Sequence, residues 1–202
     1  MENERVREAR PRPPRWTYEE FARLPSEGGV RHEIIAGELV VTPSPSPAHQ
    51  RVVTRLITAL HHYVADHGLG EVFAGPIDVL FAEGDYLAPD LVFVRAGRDR
   101  VVSDRGLEEA PDLVVEVVSP STKNRDRGVK LERYRRFGVP EYWIVDPGAG
   151  TLHVWRLAEG ATEPDELRAG DVLRWRPIAE APAGDHDGPT PMEAEVATLL
   201  GG

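Results

Sequence analysis

The chain has 202 residues, of which 41% are hydrophobic and 29% charged, a balance typical of a single globular domain with a sizeable core. It contains no cysteine, which excludes a disulfide framework, a thiolate zinc site and a cysteine nucleophile. The net charge of −10 disfavours a protein that coats nucleic acid, although one local basic patch could still bind a polyanion. We find no N-terminal signal region and no apolar run of membrane-spanning length, so we expect a cytoplasmic protein without membrane contact.

The N-terminal part of the chain predicts a lead segment and then one folded domain. Residues 1–15 are rich in Arg, Glu and Pro and lack periodicity, so we expect disorder there and a single domain over residues 16–200. Thr17 and Glu20 form a capping-box pattern, which predicts a short helix that ends near Leu24.

A hairpin and a long helix are predicted next. The segments Arg31–Ile35 and Glu38–Val41 predict two strands that turn at Ala36-Gly37. The alternating prolines of Pro43–Pro47 predict a stiff, extended link. From Ala48 to about His67 the apolar residues recur at helical spacing on one stripe, which predicts an amphipathic helix.

The second half of the chain predicts short strands around one basic helix. A helix is predicted for Asn124–Phe137, and Val196–Leu200 is the terminal segment that could pack back on the domain. Strands are predicted for Glu71–Phe73, Ile77–Phe81, Asp90–Val94, Leu113–Val118 and Glu141–Val145, and edge strands for Leu152–Leu157 and Asp171–Arg176. This order predicts an α/β fold with a central mixed sheet flanked by helices.

Two acidic residues interrupt two of these apolar strands. Asp90 precedes Leu91–Val94, and Glu116 lies within Leu113–Val118. Because side chains alternate along a strand, each acid shares a face with the even-numbered residues of its strand, and the two can meet if the strands are neighbours. Converging carboxylates suit a hard divalent cation. The alternative is that Asp90 merely begins its strand and stays exposed.

The helix after the Glu116 strand carries a second set of polar residues. Asp126, Lys130 and Tyr134 are spaced four apart and therefore share one helix face. The connection from the strand is short, so Lys130 could reach back toward Glu116. The alternative is a surface ion pair between Asp126 and Lys130, worth well under ~1 kcal/mol.

The same helix is locally basic. Between residues 123 and 136, seven basic residues stand against two acidic ones, which gives a local charge of +5. Beside two carboxylates of metal-binding type, such a helix suits a phosphodiester substrate, whose backbone needs cations to position it. The alternative is a solvated helix face on which arginines serve as good helix formers.

Several motifs of this chain occur together in a known family. They are Pro89-Asp90, Glu116–Thr122, Asp126-Arg127-Gly128, Lys130, Tyr134 and Gly138–Pro147, with His32–Val40 and Ala48-His49-Gln50 upstream. Together they resemble the Uma-two family of endonucleases, within the PD-(D/E)XK nuclease superfamily, over roughly Tyr18 to Leu157. The resemblance implies a restriction-endonuclease-like core that uses Mg²⁺ or Mn²⁺ to cleave nucleic acid, with DNA as the preferred substrate, and a homodimer is compatible with it.

The resemblance also implies roles for single residues. Asp90 and Glu116 match the two acids of the superfamily, and the carbonyl of Val117 would be a further metal ligand. Val118 stands where the superfamily has a lysine, so Lys130 is our candidate for the missing catalytic amine. The accessory candidates are Glu33, His49, Asp126 and Tyr134, and the candidate nucleic-acid contacts are Arg125 and Arg127. The alternatives are an exposed strand residue for Glu33 and a helix cap or surface residue for His49.

Two other functions remain open from the sequence. A non-catalytic binding or regulatory protein on a degenerate nuclease scaffold would fit Val118 and the acidic net charge, and an amine near the two carboxylates would argue against it. A metal-dependent hydrolase of small phosphate esters would show a closed pocket instead of an open basic groove.

Overall fold

The computed structural model describes residues 16–25, 30–177 and 189–201, so the predicted lead over residues 1–15 lies outside the described residues. Within the described part, the chain forms two six-stranded sheets and one two-stranded sheet. Helix α1 (Tyr18–Ala22) begins with the predicted capping box, in which the backbone N–H of Glu20 donates to Thr17 Oγ1 at 3.2 Å and the backbone N–H of Thr17 donates to Glu20 Oε2 at 2.9 Å.

The first sheet begins with the predicted hairpin and continues through strands that the sequence did not indicate well. Its spatial order is β2 (Glu38–Thr42), β1 (Arg31–Ile35), β5 (Asp85–Leu87), β4 (Val79–Ala82), β8 (Gly106–Leu107) and β7 (Val102–Ser103). The hairpin is as predicted, with Ile35 paired to Glu38 across the turn. The strand predicted from residue 77 begins two residues later.

The second, central sheet positions the candidate site. Its order is β12 (Asp165–Arg168), β11 (Thr151–Arg156), β10 (Glu141–Asp146), β9 (Leu113–Val117), β6 (Leu91–Arg95) and β3 (Gly70–Ala74). Strands β9 and β10 are parallel, and all other neighbours are antiparallel. The expectation that β11 is an edge strand is wrong, because β12 pairs with its outer side.

Helices and a small hairpin cover the two faces of the central sheet. Helix α2 (Pro47–Asp66) packs on one face together with β13 (Val172–Trp175), β14 (Met192–Glu195) and α5 (Val196–Leu200), the segment predicted to pack back. The other face carries the first sheet and the helical segment of residues 123–136. None of the described helices is long and apolar enough to cross a bilayer.

The alternation predicted for β9 is present in the core. Leu113, Val115 and Val117 belong to the apolar cluster on the α2 side, whereas Val114 and Val118 belong to the cluster on the opposite side. The face with Val114 and Val118 is also the face that carries Glu116, so this acid points toward the helical segment of residues 123–136.

That helical segment is not the single continuous α-helix that the sequence predicts. Helix α3 (Lys123–Arg125) is followed by a π-helical turn over Asp126–Lys130 and then by α4 (Leu131–Arg136). A π turn has an i→i+5 hydrogen-bond pattern and occurs often at functional sites.

A cap begins the long helix at the edge of the site. The sequence predicts the link Pro43–Pro47 and a helix from Ala48, but the helix begins at Pro47, where a missing backbone N–H costs nothing. Ser46 is the cap, and its side chain accepts a hydrogen bond from the backbone N–H of His49 at 3.2 Å. His49 is therefore fixed in the first turn of α2.

Candidate active site

Neighbouring strands bring Asp90 and Glu116 together. Strands β6 and β9 are antiparallel, and Leu91 pairs with Val115, so the next residues outward, Asp90 and Glu116, lie opposite each other. Both side chains are buried, at 7% and 2% exposure, and both line one cavity of about 480 Å³. The strand predicted from Asp90 begins at Leu91, and Asp90 precedes it without being exposed.

The cavity has polar walls from several parts of the chain. The link before α2 and the loop from β9 to α3 form two of its sides. The first turns of α2 contribute His49 and Gln50, and the residues after β9 contribute Ser119 and Thr122. A set of hydroxyl, carboxyl, imidazole and guanidinium groups therefore surrounds the two acids.

The Asp90 carboxylate is held by three donors. Arg31 NH1 donates to Oδ1 at 3.1 Å, while the backbone N–H of Val117 donates to Oδ2 at 2.9 Å and His49 Nε2 lies 3.1 Å from the same oxygen. Burial alone would raise the pKa of Asp90, but the contacts with His49, Arg31 and Val117 outweigh it and lower this pKa to about 2. Asp90 is therefore ionised at neutral pH.

The Glu116 carboxylate has different partners. Lys130 Nζ and Tyr134 OH donate to Oε1 at 2.6 and 2.8 Å. Burial raises the pKa of Glu116, Lys130 opposes this, and the negative charges of Asp126 and Asp90 reinforce it. Because both donors engage Oε1, Oε2 is the oxygen that they leave for another partner.

Lys130 joins Glu116 to a second carboxylate. Its ammonium group is fully buried and lies 2.7 Å from Glu33 Oε1, in addition to its contact with Glu116. Glu33 also accepts a hydrogen bond from the backbone N–H of Ala88 at 3.0 Å, and its pKa is lowered, because Lys130 and Arg31 outweigh its burial. Burial disfavours the charged ammonium, but Glu116 and Glu33 outweigh this and raise the pKa of Lys130, which stays protonated.

The π turn places Asp126 beside this cluster. Asp126 Oδ1 lies 3.9 Å from Lys130 Nζ and 3.6 Å from Arg125 Nε, and it accepts no hydrogen bond within the described residues. Burial raises the pKa of Asp126, although Lys130 opposes the shift. Asp126 lines the cavity, and Tyr142 OH holds its backbone carbonyl at 3.1 Å.

The two predicted nucleic-acid contacts lie in different places. Arg125 lines the cavity and donates from NH1 to Thr42 Oγ1 at 3.0 Å. Arg127 does not line the cavity, and its NH2 donates to Asp146 Oδ2 at 3.1 Å. Lys123 Nζ also contacts Asp146, at 2.9 Å. Several of the basic residues between positions 123 and 136 therefore form ion pairs with acidic residues of the fold.

Arg31 is a site residue that sequence reasoning missed. It lines the cavity, and its NH1 is the donor to Asp90 Oδ1. The signal was present, because Arg31 stands two residues before Glu33 and therefore shares its strand face. The remaining candidates lie around the two acids as described, and their roles stay predictions.

A divalent metal would find suitable donors here. Asp90, Glu116 and the Val117 backbone offer only oxygen ligands, which Mg²⁺ and Mn²⁺ prefer. Among the residues that the structure describes, no group of three or more His, Cys, Asp or Glu side chains could form a complete metal cage. Sites that combine one or two carboxylates with water and substrate phosphates are usual for Mg²⁺, so the donor set fits such an ion.

Comparisons with known proteins identify the fold and the family of this chain. A solved structure titled as that of "a putative nuclease belonging to DUF820", from Anabaena variabilis ATCC 29413, has a TM-score of 0.68 to this chain. The two are 18% identical, and the match covers 92% of this chain and 97% of the other, which shows a shared fold. No curated protein matches the chain. The model of the family Uma2, described as "Putative restriction endonuclease", matches residues 18–181, and the chain therefore belongs to this family.

Proposed function

We propose that this protein is a metal-dependent endonuclease that hydrolyses phosphodiester bonds of nucleic acid, with DNA as the preferred substrate. One observation carries the proposal: Asp90 and Glu116 face one cavity, and the fully buried Lys130 ammonium lies 2.6 Å from Glu116. Membership of a family with a restriction-endonuclease description supports the same reaction class.

Asp90, Glu116 and the carbonyl of Val117 are the residues that would hold Mg²⁺ or Mn²⁺. When bound, such an ion lowers the pKa of a coordinated water and offsets negative charge on the phosphate. The protein's own contribution is to keep both carboxylates in place: Arg31 and His49 orient Asp90. Lys130 and Tyr134 orient Glu116.

Lys130 acts in this proposal as a positioning residue. Its ammonium group lies behind Glu116 and does not line the cavity, so it contacts the carboxylate and not the substrate. It stabilises the ionised form of Glu116, in which the carboxylate can bind a cation, and adds a fixed positive charge near the reacting phosphate. The amine of this site thus comes from Lys130 at the end of the π turn, whereas the strand position that carries a lysine in the superfamily is Val118 here.

The proposal is tested by cleavage of plasmid DNA, single-stranded DNA and RNA with Mg²⁺, with Mn²⁺ and with EDTA. We expect cleavage only with a divalent metal, and a loss of about 10²-fold or more in Asp90→Asn and Glu116→Gln. Glu141→Gln is the matched control, because Glu141 is a buried acid on the adjacent strand whose partners are Trp143 and Trp175, away from the cavity. Metal-independent cleavage, or equal Mn²⁺ binding by wild type and both site variants in calorimetry, would contradict the proposal.

A second candidate is a non-catalytic nucleic-acid-binding protein. Both oxygens of Asp90 already accept hydrogen bonds from protein groups, which favours a site that stays closed to metal. This candidate predicts nucleic-acid binding without cleavage under every metal condition, and without any effect of Mn²⁺ on affinity.

A further inference from the structure

Strand β2 forms an open edge of the first sheet. It pairs with β1 on one side, and no strand of the described chain pairs with its other side. The two residues of its turn, Ala36-Gly37, both have positive φ, 57° and 88°, as in a type I′ hairpin. The pair that closes such a hairpin, Ile35 and Glu38, is hydrogen-bonded, and hydrogen-bonded and non-hydrogen-bonded pairs alternate beyond it. The backbone N–H and C=O groups of Leu39 and Val41 therefore point away from β1.

These two outward-facing residues are also apolar and exposed. Leu39 is 39% exposed and Val41 is 52% exposed, and their side chains share one face of the strand. No loop or side chain within the described residues forms a hydrogen bond with the backbone of either residue. Unpaired backbone groups beside exposed apolar side chains make a sheet edge a template for another strand.

The other edges of the two six-stranded sheets lack this combination. At the far edge of the first sheet, β7 has only two residues. In the central sheet, three of the four residues of β12 are charged, and β3 exposes Glu71 and Ala74 but no large apolar side chain. Short strands and charged side chains protect an edge from pairing with another chain. Of these sheet edges, β2 is therefore the one that presents large apolar side chains.

A second copy of β2 fits this edge well. If two β2 strands run antiparallel about a two-fold axis at Val40, Leu39 of each copy lies opposite Val41 of the other. Both are outward-facing residues, so each such pair can exchange two backbone hydrogen bonds, and four apolar side chains meet on one face. Glu38 of each copy then lies opposite Thr42 of the other, so no like charges oppose each other.

This register is the symmetric one that uses both outward-facing residues. An axis at Val41 would place Leu39 opposite Pro43, which has no backbone N–H to donate. An axis at Leu39 would place Val41 opposite Gly37, whose N–H already donates to a backbone carbonyl of its own chain. The edge is therefore self-complementary about Val40.

We propose that β2 is a dimerisation strand, through which two copies of this chain pair antiparallel about Val40 and join their first sheets into one continuous sheet. The paired strands alone bury less than the roughly 1,200 Å² of the smallest standard interfaces, and each copy carries a net charge of −10. We therefore expect a reversible dimer with a dissociation constant on the order of micromolar. Because Thr42 at the end of β2 lines the cavity, the dimer carries its two cavities at opposite ends of the paired strands. The dimer does not depend on the proposed nuclease function, and its test uses no cleavage.

The register is tested by disulfide formation, because the chain contains no cysteine of its own. In Val40→Cys, the two sulfur atoms face each other across a non-hydrogen-bonded pair, whose Cα atoms lie about 4.5 Å apart, within the range of a disulfide. Mild oxidation should convert most of this variant into a covalent dimer, measured by non-reducing gel electrophoresis.

Leu39→Cys is the matched control. Leu39 is more exposed than the half-buried Val40, so random collisions would cross-link it more readily. In the proposed register, however, Leu39 lies opposite Val41 of the second copy, and the two Leu39 Cα atoms are more than about 7 Å apart, too far for a disulfide. This variant should stay monomeric under the same oxidation. No covalent dimer in Val40→Cys, or cross-linking of Leu39→Cys to an equal extent, would overturn the pairing about Val40.

Sedimentation equilibrium of wild type over a range of concentrations measures the dimer without any cross-link. Wild type should shift from monomer to dimer as its concentration rises, and Val41→Lys should weaken association by about tenfold or more, because lysine on an edge strand opposes pairing. Val172→Lys makes the same change of charge at another exposed strand valine, 37% exposed on β13, and should leave association unchanged. Circular dichroism checks the fold of each variant. Wild type that stays monomeric at every concentration, or equal weakening in Val172→Lys, would overturn the inference.

Discussion

The chain has only two lysines, Lys123 and Lys130, and uses arginine at its other basic positions. Lys130 is the one that is fully buried, between Glu33 and Glu116 at 2.7 and 2.6 Å. An ammonium group is a compact point charge, whereas a guanidinium group is planar and wider. Lysine therefore suits a narrow position between two carboxylates.

Replacement of this ammonium should destabilise the fold. In Lys130→Met, Glu33 and Glu116 would be buried without their shared cation, and we expect a loss of about 3–5 kcal/mol in the free energy of unfolding. The control is Lys123→Met, because Lys123 is 40% exposed and its ion pair with Asp146 should contribute less than about 1 kcal/mol. Urea denaturation measures both values.

A double variant separates charge from packing. If the loss comes from uncompensated charge, Glu116→Gln combined with Lys130→Met should recover part of the stability that Lys130→Met loses. Equal stability of wild type and Lys130→Met would show that the ammonium group is not needed to balance the two acids.

Arg31 competes with any cation for Asp90. Its NH1 lies 3.1 Å from Oδ1, so a metal ion must displace a charge-assisted hydrogen bond to reach that oxygen. Arg31→Met should therefore bind Mn²⁺ more tightly than wild type, by about tenfold, measured by calorimetry without substrate. Weaker Mn²⁺ binding by this variant would mean that Arg31 supports the metal site instead of competing with it.

At the scale of elements, the π turn is the feature that most affects the site. It contains both Asp126 and Lys130, and Gly128 lies at its centre. A Cβ atom on Gly128 would meet no other atom within 4 Å, so the glycine is not required by packing. The turn can therefore be altered without filling occupied space.

Gly128→Ala should stabilise the protein by about 0.5–1 kcal/mol, because alanine loses less backbone entropy in a helical turn. Gly70→Ala is the contrasting variant: Gly70 has φ +141°, and a Cβ there would overlap the carbonyl oxygen of Val94. The Gly70→Ala variant should therefore be less stable than wild type. Thermal unfolding of both variants tests the pair, and a loss of stability in Gly128→Ala would indicate that the π turn itself requires glycine.

Sequence patterns predicted the elements that have clear periodicity. The alternation of β9 and the stripe of α2 are strong signals, since each places apolar residues on one face over many positions. Strands such as β7 and β8 have two residues each, and β12 is a mostly exposed edge, so neither length nor polarity distinguishes them from turns. The π turn over Asp126–Lys130 could not be predicted, because the sequence around it keeps the three- and four-residue spacing of an ordinary α-helix.

Contacts within the site could be predicted only between residues that are close in sequence, because a short loop limits how far apart they can lie. Lys130 follows Glu116 through a short loop, so its reach could be inferred from the sequence. The partnership of Arg31 with Asp90 joins a hairpin to the central sheet across 59 residues of sequence, and the spacing of Arg31 from Glu33 indicates only that those two residues share a strand face. Likewise, Arg127 points away from the cavity because it pairs with Asp146, whereas Arg125 contacts Thr42 at the cavity wall.

At the scale of the molecule, one buried acid joins the C-terminal hairpin to the central sheet. Glu141 on β10 accepts hydrogen bonds from Trp143 Nε1 at 2.7 Å and from Trp175 Nε1 at 3.1 Å. Trp175 also packs against Phe93 with its ring centroid 5.4 Å away. The hairpin is therefore anchored by both polar and aromatic contacts.

This anchor should make stability depend on pH. Burial raises the pKa of Glu141, although the hydrogen bonds from Trp143 and Trp175 oppose it. A raised folded-state pKa gives a stabilisation that is fully present below the unfolded pKa, about 4.3, and is lost as the pH rises through the folded value. Wild type should therefore lose unfolding free energy relative to Glu141→Gln as the pH rises from about 4.3, measured by denaturant titrations at several pH values. A pH-independent difference would contradict this expectation.

The contacts around Asp90 come from distant parts of the chain. Arg31 and His49 precede it by 59 and 41 residues, and Val117 follows it by 27. During synthesis, the chain must therefore be released at least through Val117, the last residue of β9, before these groups can meet. A partly synthesised chain therefore lacks the assembled Asp90 site, and the arrangement of donors around this carboxylate exists only once the hairpin, α2 and the central sheet have come together.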